Sequence, residues 1–228
     1  MREPVVLSWS GGKDSALAWD WLARSDQYEV VALLTTLTQG DERICMHGVR
    51  RELLQAQADA LRVPLEEVFI PPRAGNAIFE GAVGGRLEQF QRRGVKTVAF
   101  GDLFLQDIRE YREALMRRIG MQPLFPLWQQ ETDELAEEFF LRGWRAVVCC
   151  CDGRVLDANH VGRWYDRSFV NSLDGQIDPC GENGEFHTFT FDGPGFRSPI
   201  LFRRGTVSQS GPFWYCDLSL VSPMSLCA

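Results

Sequence analysis

Val6-Leu-Ser-Trp-Ser-Gly-Gly-Lys-Asp-Ser15, written VLSWSGGKDS, is the stretch that decides the fold class. An apolar run ends at Trp9, two glycines permit a sharp backbone turn, and a helical pattern begins at about Asp14. The N–H groups and the dipole at the start of such a helix favour an anion above the turn. The stretch therefore predicts a strand, a phosphate-binding turn and a helix.

The loop matches neither of two common nucleotide-binding motifs. A Walker A loop reads G-x-x-x-x-G-K-S/T, whereas here Leu7 stands at the first glycine position and Asp14 follows Lys13. A dinucleotide fingerprint reads G-x-G-x-x-G, but Gly11 and Gly12 are adjacent and no third glycine follows. If the turn binds an anion, it does so as another kind of site.

The side chains of the loop suit phosphate oxygens and a metal ion. Ser10 and Ser15 offer hydroxyl donors, and Lys13 offers an ammonium group. Asp14 is predicted to hold Mg²⁺ directly or through water, because this ion prefers oxygen ligands. The alternative is a plain strand-to-helix turn in which a Ser or Asp side chain caps the helix.

Composition and charge limit the class of protein. The 228 residues are 45% hydrophobic, enough for a core in one large domain or in a main domain with a smaller partner. The 24 basic and 31 acidic residues give a net charge of −7, and the basic residues are scattered, which argues against a nucleic-acid partner. No apolar run reaches the roughly 18 residues of a membrane span, so a cytoplasmic protein is expected. Seven cysteines, three of them consecutive at 149–151, fit reduced thiols better than a disulfide framework.

Strand and helix patterns alternate through the first half and predict a five-stranded, parallel, doubly wound α/β sheet. Ligands bind such sheets at the carboxyl ends of the strands. After Trp128 the pattern changes to an acidic helix and β-rich segments, which predicts a smaller C-terminal α+β domain and a division into 1–128 and 129–228. The predicted strands are 5–9, 30–35, 65–70, 95–101, 123–128, 146–151, 188–191, 200–209 and 213–220, and the predicted helices are 14–23, 49–61, 77–90, 108–119, 131–141 and 161–173.

A second polar stretch, DPCGENGEFHTF, occupies 178–189. It places Glu182, Asn183, Glu185 and His187 in a glycine-containing loop that leads into a strand. Glu185 and His187 are two residues apart, so in an extended segment they point to one face. A carboxylate and an imidazole there can bind an amine or ammonia and transfer a proton. The alternative is a loop whose acids only face solvent.

Two further polar residues follow predicted strands. His47 lies beyond the second strand region, and Asp102 follows the fourth strand, so both can reach a ligand at the carboxyl edge of the sheet. The alternatives are a packing or helix-capping histidine and an Asp that caps the next helix. A zinc site from Cys45, His47, Cys180 and His187 lacks a closely spaced ligand pair and is not favoured.

Ser10-Gly-Gly-Lys-Asp-Ser15 matches the S-G-G-x-D-S pyrophosphate loop of the N-type ATP pyrophosphatases, and it follows the first strand as in that family. Together with four other segments it makes the chain resemble the diphthine ammonia ligase family, the ATP-binding type of diphthamide synthesis, which has a HUP-like sheet. The four segments are Met46-His-Gly-Val-Arg50, Gly101-Asp-Leu-Phe-Leu-Gln-Asp107 with Tyr111-Arg112, Pro123-Leu-Phe-Pro-Leu-Trp128, and 178–188.

The resemblance implies a ligase that cleaves ATP to AMP and pyrophosphate. A substrate carboxylate would be adenylated, and ammonia would then displace AMP to leave an amide. ATP and Mg²⁺ are the implied cofactors, and free ammonium is the expected nitrogen donor. The implied ATP-binding residues are Ser10, Gly11, Gly12, Lys13, Asp14 and Ser15; the catalytic ones are Lys13, Asp14, Glu182, Glu185 and His187; and the substrate-binding ones are His47, Asp102, Asn183 and Thr188.

The second motif departs from the family wording at two positions. Members acting on diphthine typically read E-G-G-E-F/Y-E-T, whereas this chain reads Glu182-Asn-Gly-Glu-Phe-His-Thr188. The exchange of an acid for an imidazole at His187 changes the local charge by about one unit, which alters the cationic group that is tolerated. We therefore expect the adenylating chemistry and leave the acceptor carboxylate open.

Two other functions stay open from the sequence alone. A tRNA-modifying ATP pyrophosphatase has the same loop, but it needs a basic surface, and its thiolating members need catalytic cysteines. A non-catalytic ATP-binding sensor would leave the 182–188 motif without a role. A homodimer is also left open.

Overall fold

The structure is a computed structural model that describes residues 1–221. The chain divides into two compact units, and the predicted division into 1–128 and 129–228 stays a prediction, with residues 222–228 outside the described range. The parallel-sheet unit contains Met1–Ser10, Asp14–Cys45 and Val63–Gln130. The antiparallel-sheet unit contains Gly11–Lys13, Met46–Arg62 and the described residues from Glu131 onward.

Ten strands and six helices are defined within residues 1–221. None of these helices is long and apolar enough to cross a membrane. In chain order the elements are β1 (Glu3–Ser8), α1 (Lys13–Arg24), β2 (Tyr28–Thr38), α2 (Arg51–Leu61), β3 (Leu65–Ile70), α3 (Asn76–Arg92), β4 (Thr97–Ala99), α4 (Gln106–Arg118), β5 (Gln122–Leu124), α5 (Thr132–Leu141), β6 (Arg145–Asp152), β7 (Trp164–Tyr165), α6 (Arg167–Val170), β8 (Phe186–Asp192), β9 (Phe202–Ser210) and β10 (Phe213–Leu220).

The parallel-sheet unit is built on five parallel strands in the order β3-β2-β1-β4-β5. This confirms the predicted α/β fold with its five-stranded parallel sheet. The strand order reverses direction between β1 and β4, where Leu7 pairs with Ala99. Ligands bind α/β sheets at such a reversal, outside the carboxyl ends of the strands. The loop after β1 and the segment after β4 therefore meet at the expected place.

Apolar side chains of the strands and helices form the core of this unit. Val6, Val98 and Leu87 are fully or almost fully buried in one cluster, and the strands read as continuous apolar runs because both faces are covered. Strand β4 is shorter than the predicted 95–101. Val95 and Phe100 are buried in the same core but lie outside the hydrogen-bonded strand. Their apolar side chains therefore indicated burial and not strand pairing.

The antiparallel-sheet unit has the strand order β7-β6-β10-β9, with β8 also paired to β6. The central strand β6 is buried from Ala146 to Asp152, including Cys149, Cys150 and Cys151. Aromatic rings fill the space beside it, with Phe169 and Phe186 at 5.1 Å between centroids. The predicted C-terminal α+β part is confirmed as an antiparallel sheet with short helices.

The predicted helix over 161–173 is wrong. Trp164 and Tyr165 form a short strand paired to Val147 and Ala146 of β6, and only Arg167–Val170 is helical. Asp166 separates the two elements as the N-cap of the short helix, because its backbone is still extended and its carboxylate accepts the N–H of Phe169 at 2.8 Å. Pairing to a buried strand outweighed the helical spacing of the apolar residues.

Candidate active site

The parallel-sheet unit holds Ser10, Asp14 and Ser15 at the start of α1. The Ser10 and Ser15 hydroxyl oxygens are 3.3 Å apart, so two donors converge at the helix N-terminus. Gly101, just after β4, approaches this turn closely, because a Cβ atom there would lie 3.0 Å from the backbone carbonyl carbon of Asp14. The absence of a side chain at Gly101 therefore lets the β4 end lie beside the loop.

Asp102 follows Gly101 and is partly buried at the same strand end. Its Oδ2 lies 3.5 Å from Nε of Arg112, whose guanidinium stacks over the Phe100 ring at 4.9 Å. Burial raises the pKa of the Asp102 carboxyl, and the Arg112 cation opposes that shift. Asp102 is therefore held by Arg112 beside the loop, and its role in substrate binding stays a prediction.

The Gly11–Lys13 part of the loop is anchored within the antiparallel-sheet unit. The backbone N–H of Lys13 donates to Thr188 Oγ1 at 3.0 Å, and the carbonyl of Gly11 accepts the N–H of Thr190 at 2.9 Å. Gly11 has a φ of 77°, which a residue with a side chain rarely adopts. Two residues of strand β8 therefore hold the glycine turn through backbone groups of the turn.

Lys13 has its side chain almost completely buried, with 2% of the residue exposed. Its ammonium nitrogen lies 5.4 Å from the ring centroid of Phe186 and 5.7 Å from that of Tyr165. Aromatic faces attract a cation and partly replace its hydration. The hydroxyl of Tyr165 donates to the carbonyl of Pro179 at 2.9 Å, which fixes the ring beside Lys13.

His47 and His187 stack on each other in the antiparallel-sheet unit. Their ring centroids are 4.5 Å apart and the rings are inclined by 25°. Nδ1 of His47 lies 3.3 Å from the carbonyl oxygen of Thr188. Because a carbonyl only accepts, this contact assigns the proton to Nδ1 and leaves Nε2 of His47 as an acceptor.

Both imidazoles are neutral near pH 7. Burial lowers the pKa of His47 to about 4, with the Lys13 cation acting in the same direction and the contact with Thr188 opposing it. Burial also holds the pKa of His187 well below its usual range, and His47 and Lys13 add to this shift. Nε2 of His187 is buried without a hydrogen-bond partner in the part of the chain that the structure describes. The catalytic role of His187 stays a prediction.

The acidic motif forms a loop organised by Asp178. Its Oδ1 accepts the N–H groups of Cys180 and Glu182 at 2.9 and 3.1 Å, and its Oδ2 accepts the hydroxyl of Thr132 at 2.7 Å. Glu185 is 8% exposed, and its Oε1 accepts the N–H of Asp178 at 3.2 Å. Asp178 and Glu185 thus hold the two ends of the loop together.

Asn183 replaces the first glycine of the family wording without backbone strain. Its φ is not positive, whereas the following Gly184 has a φ of 86°. The Asn183 side chain donates to Oε1 of Glu185 at 2.9 Å. The left-handed position of the loop is therefore still a glycine, and the substituted position gains a hydrogen bond.

The predicted site residues fall into two groups. Lys13, His47, His187 and Thr188 meet in the antiparallel-sheet unit, whereas Ser10, Asp14, Ser15 and Asp102 lie together in the parallel-sheet unit. Among residues 1–221 no three His, Cys, Asp or Glu side chains are arranged to hold a metal ion. The loop hydroxyls and the Asp14 carboxylate are the hard oxygen groups that suit Mg²⁺ and phosphate. Their roles remain predictions.

Three residues that hold the site were not predicted from the sequence. Gln57 donates its amide to the Gly11 carbonyl, and Tyr165 and Phe186 face the ammonium of Lys13. For Gln57 there was a signal, since it is a polar residue on the buried face of α2 among Leu53, Leu54, Ala58 and Leu61. The two aromatic residues carried no distinguishing signal, because aromatic residues in a β-rich segment predict packing equally well.

The chain is similar to relatives of one kind over most of its length. It is 25% identical to the diphthine–ammonia ligase of Homo sapiens over 223 residues, which covers 88% of this chain and 82% of that protein. The Bos taurus diphthine–ammonia ligase is 29% identical with the same coverage. The argininosuccinate synthase of Rhizorhabdus wittichii is 34% identical over 90 residues, which covers 34% of this chain and 20% of that protein.

A solved U34-tRNA thiolase from Methanococcus maripaludis is also similar, with 17% identity and coverage of 61% of this chain and 57% of that one. The TM-score of the two structures is 0.38. Two family profiles match, the diphthamide synthase N-terminal domain over residues 2–123 and the diphthamide synthase C-terminal domain over residues 131–220. The resemblance found in the motifs is confirmed, and the chain belongs to the diphthamide synthase family, a family of ATP-dependent ligases.

Proposed function

We propose that the protein is an AMP-forming ligase that adenylates a substrate carboxylate and converts it to an amide with ammonia. The observation that carries the proposal is the S-G-G-x-D-S loop, which follows β1 where the strand order reverses. Gly11 adopts a left-handed conformation there, and the N-terminus of α1 follows directly. Backbone N–H groups and a helix dipole at such a turn favour the charge of a leaving pyrophosphate.

The proposed reaction has two steps. A carboxylate oxygen of the acceptor bonds to the α-phosphorus of ATP, and the bond to the β-phosphate oxygen breaks to release pyrophosphate. Ammonia then bonds to the acyl carbon, AMP leaves with the electron pair of the broken bond, and one proton is lost. The loop residues Ser10 to Ser15 bind the phosphates in this proposal. Mg²⁺ would neutralise phosphate charge from a site that includes Asp14.

The residues of the second motif act on the acceptor and the nucleophile in this proposal. The orphaned, neutral Nε2 of His187 can accept a hydrogen bond from an N–H donor, which suits ammonia or an amine. His47 supports that ring by stacking, and Glu182, Asn183, Glu185 and Thr188 complete the acceptor site. The relatives' names supply ammonia as the nitrogen source.

Diphthine itself is a less favoured acceptor for this chain than for its relatives. The family acid at position 187 would attract the fixed positive charge of a trimethylammonium group, whereas a neutral imidazole does so only weakly. The buried cation of Lys13 lies in the same unit and adds repulsion. We propose a carboxylate acceptor without a fixed cation, with 1–128 as the nucleotide-binding part and 129–228 as the acceptor-binding part.

The thiolating tRNA-modifying alternative finds no support in the strand that carries three cysteines. Burial raises the pKa of Cys150 to about 12 and that of Cys151 to about 11, and it raises the pKa of Cys149 as well. Nucleophilic cysteines need a lowered pKa so that the thiolate forms. These three thiols act as small apolar residues in β6.

Product analysis tests the proposed function. Extract fractions and defined carboxylates are screened with ATP, Mg²⁺ and ammonium for acceptors that trigger release of AMP and pyrophosphate. Asp14→Ala should lower this turnover at least about a hundredfold, because the loop then lacks its carboxylate. ADP and phosphate as products would contradict the proposal, as would full activity of Asp14→Ala.

A further inference from the structure

Gln57 is a buried polar residue that the reaction scheme above does not use. It is 0% exposed and lies on the apolar face of α2. Its Nε2 donates to the carbonyl oxygen of Gly11 at 2.8 Å and to that of Thr190 at 2.6 Å. Burying an amide costs free energy unless it is hydrogen-bonded, and here both amide hydrogens are used on backbone oxygens.

The two acceptors of Gln57 belong to different parts of the site. Gly11 is the first glycine of the loop, and Thr190 lies in β8, the strand that follows the acidic motif. The Gly11 carbonyl also accepts the N–H of Thr190 at 2.9 Å. Gln57, Gly11 and Thr190 are therefore hydrogen-bonded to one another, and these bonds connect α2, the glycine turn and β8.

The position of the Gly11 carbonyl determines the direction of the next loop donor. In a planar trans peptide the C=O of one residue and the N–H of the following residue point in opposite directions. With its carbonyl held by Gln57 and Thr190, the peptide between Gly11 and Gly12 turns the Gly12 N–H away from α2 and β8. Gly11 has a left-handed φ of 77° in this conformation. A side chain at this position would also clash with Gln57, since a Cβ atom would lie 2.7 Å from its Oε1.

We propose that Gln57 is a positioning residue for ATP cleavage, which holds the Gly11–Gly12 peptide in the left-handed turn to which pyrophosphate binds. The inference rests on the proposed function of the loop. An orientation that exists before the ligand arrives removes the cost of ordering the turn on binding. Because Gln57 also holds Thr190, it ties the loop to the strand that carries His187 and Thr188.

The test compares Gln57→Met with Gln55→Met in the full chain. Methionine keeps the volume of the side chain and removes the donor, so the core stays filled. Gln55 is the matched control, since it lies on the same helix, is exposed and donates to Asp59 at 2.9 Å. Affinities for magnesium pyrophosphate and for AMP are measured separately by calorimetry.

We expect Gln57→Met to weaken pyrophosphate binding about tenfold, the effect of about one lost hydrogen bond in the bound state. AMP affinity should stay within about twofold, because AMP lacks the leaving phosphates that the loop binds. Gln55→Met should match the wild type for both ligands. A purely structural role of Gln57 would weaken both ligands together or neither.

Three results would overturn the inference. Equal pyrophosphate affinity of Gln57→Met and the wild type would show that the loop does not need Gln57. A wild-type chain that binds no pyrophosphate would overturn the proposed function as well. If Gln57→Met does not fold, Gln57→Glu, which keeps the shape and lacks the double donor, takes its place; failure of both to fold would make Gln57 a folding residue.

Discussion

At the scale of single residues, the two substitutions in the acidic motif have different consequences. Asn183 stands where the backbone is not left-handed, so it replaces glycine at no conformational cost and adds a hydrogen bond to Glu185. His187 replaces an acid with a ring that stays neutral in its buried stack with His47. The first change preserves the loop, and the second removes a negative charge from the proposed acceptor site.

The stacked histidines predict a loss of stability in acid. The pKa of His47 is about 4 in the folded chain and about 6.5 in the unfolded one, so the unfolded chain binds more protons between these values. Stability contributed by the neutral ring is complete above about pH 6.5 and is lost as the pH falls toward 4. The full loss is on the order of 3 kcal/mol, and His187 adds to it in the same direction.

Urea denaturation between pH 7 and 4 measures this effect in the wild type and in His47→Gln. The substituted chain should show a shallower fall of the unfolding free energy, since glutamine does not titrate. His160→Gln controls for the loss of a histidine outside the stacked pair. An unchanged slope in His47→Gln would mean that the pKa of the His47 ring is the same in the folded and unfolded chains.

A second stability prediction concerns Gly184, in the loop that precedes β8. Gly184→Ala should destabilise the fold by about 1 kcal/mol, because alanine is strained at a φ of 86° even though no atom lies within 4 Å of the new Cβ. Gly175→Ala is the matched control, at a position with equal space and no positive φ. Thermal and urea unfolding compare the stability of the two variants. Equal stability would contradict the prediction that alanine is strained at the φ of Gly184.

At the scale of elements, the segment from Asp178 to Glu185 acts as a preformed loop in front of β8. One carboxylate, that of Asp178, accepts two backbone N–H groups and a hydroxyl, and Glu185 accepts a third backbone N–H. The loop therefore has its own hydrogen-bonded frame before any ligand binds. Strand β8 follows this loop directly, and its Thr188 hydroxyl accepts the N–H of Lys13 in the glycine-rich loop.

Asp178→Ala should loosen this frame. We expect a loss of about 1–3 kcal/mol in the free energy of unfolding, because buried N–H groups lose their acceptor. Acceptor-dependent turnover should fall at least about tenfold while the affinity for magnesium ATP stays within about twofold, if the motif serves the acceptor. Asp174→Ala removes a carboxylate that accepts the N–H of Gln176 at 3.1 Å, outside the loop, and serves as the control. A fall in ATP affinity with unchanged turnover would reverse the roles assigned to the two motifs.

At the scale of the whole molecule, the proposed binding of ATP should be linked to folding through Lys13. At a concentration about 100 times the Kd, ATP should stabilise the folded chain by about 2.7 kcal/mol. For a chain of this length that is a rise in Tm of roughly 5–10 °C. Lys13→Met should lose most of this rise, because the residue then lacks the cation proposed to meet the phosphates.

Lys96→Met is the control for Lys13→Met, since Lys96 is exposed and lies before β4. Differential scanning fluorimetry with and without magnesium ATP gives both shifts. Because the Lys13 ammonium lies against Phe186 and Tyr165, the ligand-free Tm of Lys13→Met is recorded as well. An ATP-dependent rise equal to that of the wild type would exclude Lys13 from phosphate binding.

The sequence by itself determined the parallel α/β sheet, the strand, glycine turn and helix from β1 to α1, and the family. These depend on short patterns, such as an apolar run followed by Ser10-Gly-Gly-Lys-Asp-Ser15, whose physical meaning is local. The helix predicted from the sequence at 161–173 is wrong, because Trp164 and Tyr165 pair with β6 despite the helical spacing of the apolar residues. A local pattern does not record which distant strand will pair with it.

Only the tertiary structure decided what surrounds the functional groups. Lys13 and Thr188 are 175 positions apart in sequence and share a hydrogen bond, and His47 meets His187 over a similar separation. The neutral state of the two histidines, the burial of the Lys13 cation and the anchoring of Gly11 by Gln57 all depend on such long-range contacts. Burial and neighbouring charges set these properties, and both exist only when the chain is folded.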